Sequence, residues 1–282
     1  MSKTSTPESI LIKGFKDLSL PLDSEKIKAF MNYLSELKKW NKTYNLTSLK
    51  RDEDIIIKHF LDSLLYLRAL PEGRLVGQPS RLSEIGQPSG LSVMDVGSGA
   101  GFPGVPLKII RPELRLYLVE PSRKKAGFLD YLVRTLKFED VVVIEKRIED
   151  VSGILVDVAL TRALFDIKDF YKKASHLLRK DGRLILSKGP KVEEEIRQLK
   201  EGLRFETLKV RLPLTDIYRY IVIIYCTPGD KNISIDKKPE HSYKDRRGLS
   251  QKDANICFNL NCRLRRAGCH GFEGCPGFQA KT

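Results

Sequence analysis

Met94-Asp95-Val96-Gly97-Ser98-Gly99-Ala100-Gly101-Phe102-Pro103-Gly104 is the stretch from which the rest of the chain can be understood. The apolar run Leu91, Val93 and Val96 stops at a cluster of glycines, and a helical pattern is clear again after Pro106. That is a buried strand feeding a tight turn and then a helix N-terminus. Glycines there permit positive φ and let backbone approach a ligand closely. The helix start adds N–H groups that have no intrahelical partner. A nucleoside is the ligand such bare backbone fits.

Gly99-Ala100-Gly101-Phe102-Pro103-Gly104 satisfies G-x-G-x-x-G, and Glu120 follows 21 residues after Gly99, the spacing of a dinucleotide site. A nicotinamide-dependent oxidoreductase is therefore a rival reading. Against it, the glycines nearest the strand are Gly97, Gly99 and Gly101, and Phe102 stands where the strand-proximal fingerprint wants its last glycine. Pro103 and Pro106 are expected to break the helix that would receive a pyrophosphate. A loop around a mononucleoside suits these residues better. No G-x-x-x-x-G-K-[ST] occurs, which argues against an NTPase.

Beyond the turn, apolar runs alternate with helical stretches. Strands are expected at 93–96, 115–119, 141–145, 156–160, 183–187, 206–210 and 218–226, and helices at 104–110, 123–136, 167–178 and 192–199. Alternation of this kind gives a mostly parallel seven-stranded sheet covered on both faces, an α/β fold, with the last two strands as an antiparallel hairpin at one edge. The carboxyl ends of the strands form the ligand edge. Glu120 ends the second strand, where its two oxygens can accept both hydroxyls of a ribose; the alternative is a surface glutamate. Ser122-Arg123-Lys124-Lys125 opens a helix with positive charge set against the macrodipole, which hints at phosphate. Arg147-Ile148-Glu149-Asp150 follows the third strand, where its backbone could bracket an adenine ring. Arg162, after the fourth strand, points into the cleft or pairs with a core acid.

Upstream, helices are expected from Thr6-Pro7, from Asp23-Ser24 and over about 52–69. Trp40 to Ser48 is polar, aromatic and poor in helix formers, so the second helix should stop before it. His59 and Asp62 fall within about one turn of the third helix; a half-buried, satisfied histidine and an ordinary helix carboxylate are the plain alternatives. The chain divides into a helical module (1–70), a Gly/Pro/Ser/Gln-rich insertion (71–90), the α/β core (91–228), a polar linker (229–255) and a cysteine-rich tail (256–282).

With 282 residues, 41% of them hydrophobic, a sizeable core can form. The net charge of +14 favours a polyanionic partner, nucleic acid first. No apolar run approaches the ~20 residues of a membrane span. The start, Met1-Ser2-Lys3-Thr4, lacks the apolar core of a signal peptide, so the expected location is cytoplasmic.

The combined motifs resemble those of the bacterial 16S rRNA guanine-N7 methyltransferases of the RsmG type (glucose-inhibited division protein B). Asp95 to Gly104 resembles that family's cofactor loop. Trp40-Asn41-Lys42-x-Tyr44-Asn45-Leu46-Thr47-Ser48 and His59-x-x-Asp62-Ser63-Leu64 resemble its N-terminal signatures. Arg147-Ile148-Glu149, Thr161-Arg162-Ala163 and Leu186-Ser187-Lys188-Gly189 resemble its later ones, so the likeness runs over about 25–226. It implies a Rossmann-like class I methyltransferase using S-adenosyl-L-methionine. Gly97, Gly99, Gly101, Phe102, Ile148, Glu149 and Arg162 would then contact the cofactor, and Glu120 its ribose. The partner implied is 16S rRNA or the small ribosomal subunit, with no membrane and no obligate protein partner. Candidates for the RNA surface are Asn45, Ser48, His59, Asp62, Arg123, Lys124 and Lys188. Guanine N7 carries a lone pair and no proton, so methylation needs positioning and not a general base. A second rival is a non-catalytic rRNA-binding assembly protein.

The family pattern requires neither the insertion nor the tail. Four of the five cysteines lie in the last 26 residues, as Cys257-x4-Cys262-x6-Cys269-His270-x4-Cys275. Such a set can close around zinc or an iron–sulfur cluster, with Arg263, Arg265 and Arg266 as a basic knuckle between the ligands. The alternative is an unfolded tail with free thiols.

Overall fold

The protein is described here by a computed structural model covering residues 6–71, 90–197 and 203–226, together with short strands at 256–257 and 278–279. The insertion (but for its end residues), the linker and Cys262, Cys269 and Cys275 lie outside the described residues. Ser234–Thr282 forms a second unit, in which Ile256–Cys257 pairs antiparallel with Phe278–Gln279.

The first unit is built on one seven-stranded sheet in the order β3-β2-β1-β4-β5-β7-β6. Its strands are β1 (Ser92–Val96), β2 (Arg115–Val119), β3 (Val141–Ile144), β4 (Val156–Arg162), β5 (Leu178–Lys188), β6 (Arg204–Arg211) and β7 (Tyr218–Tyr225). β1 to β5 are parallel; β7 runs antiparallel to both β5 and β6. Every residue of β1 is buried, as expected of a central strand covered on both faces. One face packs on Met94, Val96, Phe170 and Leu186; the other packs Val93, Leu116, Leu118 and Leu160 against the N-terminal helices. Order reverses between β1 and β4, so a crevice opens at the carboxyl end of β1.

Helix α1 (Pro7–Leu18) has proline at its first position, and the Thr6 hydroxyl accepts the Ser9 N–H. Helix α2 (Ser24–Tyr44) is capped by Asp23 and closes on Asn45 in the left-handed region at φ 50. The expected stop before Trp40 is corrected: the helix runs five residues further, through Tyr44. Packing overrides propensity there, because the Trp40 ring lies 5.5 Å from Phe128 and 5.1 Å from Tyr131, and Asn41 is buried.

The third helical segment, α3 (residues 52–68), is not uniform. A π-helical stretch, Ile56–Leu61, interrupts it, a feature often found at functional sites. Helix α4 (Gly104–Ile110) has the bounds expected of it and includes Pro106 in its first turn, so the expectation that this proline breaks the helix is corrected. A first-turn N–H has no partner to lose. Helix α5 (Arg123–Thr135) follows β2, α6 (Ile167–Ala174) follows β4, and α7 (Val192–Arg197) follows β5. The expected helix after Ile167 ends four residues early, in a 3-10 turn at Ser175–Leu177.

Phe30 is fully buried, its ring 5.7 Å from Phe15 and 5.2 Å from Phe60. Because one core joins these helices to the sheet, Phe30→Ala should cost about 3–5 kcal/mol and leave a single urea transition. A separate early transition, with the sheet's own unfolding unchanged, would show instead that the helices stand apart.

Candidate active site

The turn after β1 takes positive φ at Gly97 (73), Gly99 (59) and Gly101 (100). At Gly101 the demand is also steric: a Cβ would sit 2.8 Å from the Tyr33 hydroxyl and from Val105. At Gly99 a Cβ would meet only the Gly97 carbonyl, at 3.9 Å, so this part of the turn is open to a ligand.

Glu120 lies at the mouth, 5% exposed, with its carboxylate fixed by two backbone donors. Oε2 accepts the Gly99 N–H at 2.8 Å and Oε1 accepts the Ser122 N–H at 2.9 Å. Each oxygen keeps an unused lone-pair direction. Asp95, which sequence reading assigned no role of its own, is fully buried under the loop. Its Oδ2 accepts the Gly104 N–H at 2.8 Å, while Oδ1 has no hydrogen-bond partner. Burial pushes the Asp95 carboxyl up to about 7, against the pull of the Gly104 N–H and the Arg162 charge. Open glycine backbone, an oriented acid with spare acceptor capacity and an orphaned buried oxygen together fit a nucleoside that bears hydroxyls and a cationic group.

Two tyrosines from the N-terminal helices grip the strand ends. The Tyr33 hydroxyl donates to the Ala100 carbonyl at 2.5 Å. The Tyr66 hydroxyl donates to Thr161 O at 2.5 Å and accepts the Ser187 N–H at 3.1 Å. Sequence reading missed both, since a buried tyrosine in an apolar helix face carries no local signal.

Beside the mouth lies a cleft of about 410 Å³, lined by Lys58, His59, Asp62, Arg162, Ala163, Ser187, Lys188, Gly189 and Arg219. Arg162 is its hub. Nη1 donates to the Lys58 carbonyl at 3.1 Å and to Asp62 Oδ2 at 3.4 Å, and Nη2 donates to His59 Nδ1 at 3.0 Å. Both sequence alternatives for Arg162 therefore hold: it lines the cleft and it pairs with an acid. Arg219 Nε donates to the other Asp62 oxygen at 2.8 Å. Nothing in the alternating pattern of β7 marked Arg219.

Arginine has no acceptor, so toward Arg162 the His59 Nδ1 acts through its lone pair, although the Lys58 carbonyl also lies 3.1 Å from that nitrogen. Nε2 then bears the hydrogen and donates to Thr47 Oγ1 at 2.7 Å. The Thr47 N–H donates in turn to Asn41 Oδ1 at 2.9 Å. Burial, and next the Arg162 charge, press the His59 pKa down to about 3. The ring is thus a neutral spacer with both nitrogens engaged. It stacks on Phe102 with centroids 4.5 Å apart, and the Arg162 guanidinium lies 5.1 Å from the same ring. Phe102 also stacks on Tyr33 at 5.3 Å. One buried aromatic side chain of the glycine loop thus packs behind His59 and Arg162, two residues that line the cleft.

The structure brings together Gly97, Gly99, Gly101, Phe102 and Glu120 at the mouth, and His59, Asp62, Arg162 and Lys188 at the cleft. Lys188 does not extend outward; its ammonium donates to the Phe165 carbonyl and pairs with Glu195 at 2.8 Å. Ile148 is buried in a 3-10 turn after β3, and Glu149, exposed beside it, pairs with Lys173 at 3.0 Å. Asn45 and Ser48 are exposed after α2, and Arg123 and Lys124 are exposed at the start of α5; none of the four lines the cleft. Among the described residues no group of three or more His, Cys, Asp or Glu is placed to hold a metal, and no helix is long and apolar enough to cross a membrane.

Sheet order and a glycine-lined crevice at the end of β1 define a Rossmann-like nucleoside-binding α/β protein. The family model GidB, rRNA small subunit methyltransferase G, matches residues 26–213. A Ribosomal RNA small subunit methyltransferase G of Caldanaerobacter subterraneus subsp. tengcongensis is 34% identical over 76% of this chain and 88% of its own length. One from Neisseria meningitidis serogroup B is 34% identical over 75% and 94%. A solved SAM dependent methyltransferase from Aquifex aeolicus has 18% identity and a TM-score of 0.43 over 68% of this chain and 97% of that one. The chain belongs to the rRNA small subunit methyltransferase G family.

Half-buried His59 and buried Asp95 have opposite pH signatures. His59, depressed to about 3 from 6.5, contributes stability that is present above pH 6.5 and lost as pH falls toward 3. Asp95, raised to about 7 from 3.8, contributes stability that is present below pH 3.8 and lost as pH rises through 7. Between these limits they oppose each other, each at up to about 1.4 kcal/mol per pH unit. Asp95→Asn should therefore make the thermal midpoint climb more steeply from pH 4.5 to 6.5 than in the wild type. Superimposable profiles would contradict the raised Asp95 carboxyl.

Proposed function

We propose that this protein transfers a methyl group from S-adenosyl-L-methionine to N7 of a guanine in 16S rRNA. The observation that supports the reading is a direct contact between loop and cleft: Phe102 of the glycine loop packs on His59 and Arg162, which line the basic cleft. A donor held by that loop and a nucleotide in the cleft would then be positioned through one packed contact.

Gly97, Gly99, Gly101 and Phe102 would hold the donor by backbone and ring contact, Glu120 would take the ribose hydroxyls, and the turn at Ile148 and Glu149 would flank the base. Once bound, the donor supplies an electrophilic methyl on a sulfonium centre. The chain's own work is to place and to exclude water. Arg162, fixed by His59, Asp62 and the Lys58 carbonyl, presents a rigid cation to the nucleotide. Asp62 stays charge-balanced between Arg162 and Arg219. Lys188 ties the Phe165 carbonyl and the Glu195 carboxylate to the edge of the cleft. No proton must leave N7, which agrees with a cleft whose histidine has no free nitrogen.

Tritium from methyl-labelled donor should enter small-subunit RNA as 7-methylguanine, identified by mass spectrometry of the nucleosides. Label at another position, or none with the donor bound, would overturn the reading. Arg162→Met should lower turnover about 10²-fold at saturating donor, where any contact of Arg162 with the donor itself no longer limits the rate. Gly99→Val should abolish donor binding and leave rRNA affinity mostly intact, because a branched residue at φ 59 is strained at the mouth but not at the cleft. Equal loss of both affinities would count against two separable sites.

A further inference from the structure

Helix α5 carries a glycine that nothing within the described residues explains. Gly127 is its fifth residue, and a Cβ built there would meet nothing within 4 Å. Glycine in a helix interior is disfavoured relative to alanine, and here no packing compensates. Helical spacing brackets it with Arg123 and Lys124 on one side and Tyr131 on the other. Arg123 and Lys124 are exposed, oppose the helix macrodipole and make no ion pair among the described residues. The acid one turn on, Asp130, has an interaction of its own.

Next to this bare stretch stands an aromatic shelf. Trp40 lies 5.1 Å from Tyr131 and 5.3 Å from Tyr44, ring to ring. Tyr44 is 40% exposed, and Trp40 and Tyr131 are half-buried. Aromatic faces beside unpaired cations are what a single-stranded nucleic acid uses, bases stacking while phosphates meet charge. The +14 chain makes a polyanion the complementary partner. None of these residues lines the cleft.

We propose that this face of α2 and α5 is a second rRNA-docking surface: bases stack on Trp40, Tyr44 and Tyr131 while the strand's backbone crosses α5 at Gly127, between the Arg123 and Lys124 pair and Tyr131. Gly127 leaves the gap through which phosphate and ribose reach the helix. The inference rests on rRNA being the substrate. It assigns the strand a hold apart from the methyl-transfer cleft.

The test uses the full chain, unmodified 16S rRNA transcribed in vitro and S-adenosylhomocysteine. Gly127→Gln should keep or raise the thermal midpoint and leave the S-adenosylhomocysteine Kd unchanged, yet weaken rRNA binding at least fivefold. The doubly substituted Arg123→Ala, Lys124→Ala chain should lose about 1.4 from the slope of log affinity against log salt, the single-strand value for two phosphate contacts. Wild-type rRNA affinity in Gly127→Gln, a lowered midpoint for that variant, or an unchanged salt slope overturns the docking surface while methylation stands. Wild-type protein that takes up S-adenosylhomocysteine but no rRNA overturns the methyltransferase reading itself.

Discussion

The Gly99 N–H pointed into the buried Glu120 carboxylate is the contact on which the site depends. A turn made of glycines has few side chains with which to hold itself, so its shape must come from neighbours. Glu120 supplies one anchor from the end of β2, and a charge-assisted bond in a buried setting is stronger than a neutral one. Asp95 supplies a second through the Gly104 N–H, and Tyr33 a third through the Ala100 carbonyl. Three separate elements thus fix a backbone that would otherwise sample many conformations. The same arrangement leaves spare acceptor directions on Glu120 and an unpartnered oxygen on Asp95, which is the polarity a nucleoside bearing hydroxyls and a cation requires.

From that loop the structure reaches the cleft through a single side chain. Phe102 is wedged between Tyr33 and His59, and Arg162 rests on it. His59 is tied through Thr47 to Asn41, so the end of α2 helps to set the plane of the Arg162 guanidinium. The N-terminal helices are therefore part of the site and not an appendage to it. Tyr66 makes the same point at the other strands, bonding to the ends of β4 and β5 together.

Much of this was legible in the sequence, and the failures have physical reasons. The strands were readable because both faces of the sheet are covered, so Val93–Val96 and Leu116–Val119 are near-continuous apolar runs. The glycine turn and Glu120 were readable because they break or end those runs. The end of α2 was misjudged because Trp40 stays helical through contacts with the distant residues Phe128 and Tyr131, while Asn41 accepts the Thr47 N–H just beyond the helix. Pro106 was misjudged because a proline in a first turn removes a donor that had no acceptor. Arg219 and Tyr33 could not be found locally: their partners, Asp62 and Ala100, are 157 and 67 residues away in the chain. Lys188 lines the cleft as well, but its ion pair with Glu195 and its bond to the Phe165 carbonyl join residues far apart in the chain and had no local signal.

A crystal structure of the protein with S-adenosylhomocysteine bound tests the central claim most directly. The account predicts the ribose hydroxyls on Glu120, the nucleoside against the Gly97–Gly101 backbone, and the sulfur facing the Phe102 ring on the side of Arg162. A ligand bound elsewhere, or one at the mouth with its sulfur turned away from the cleft, would contradict it.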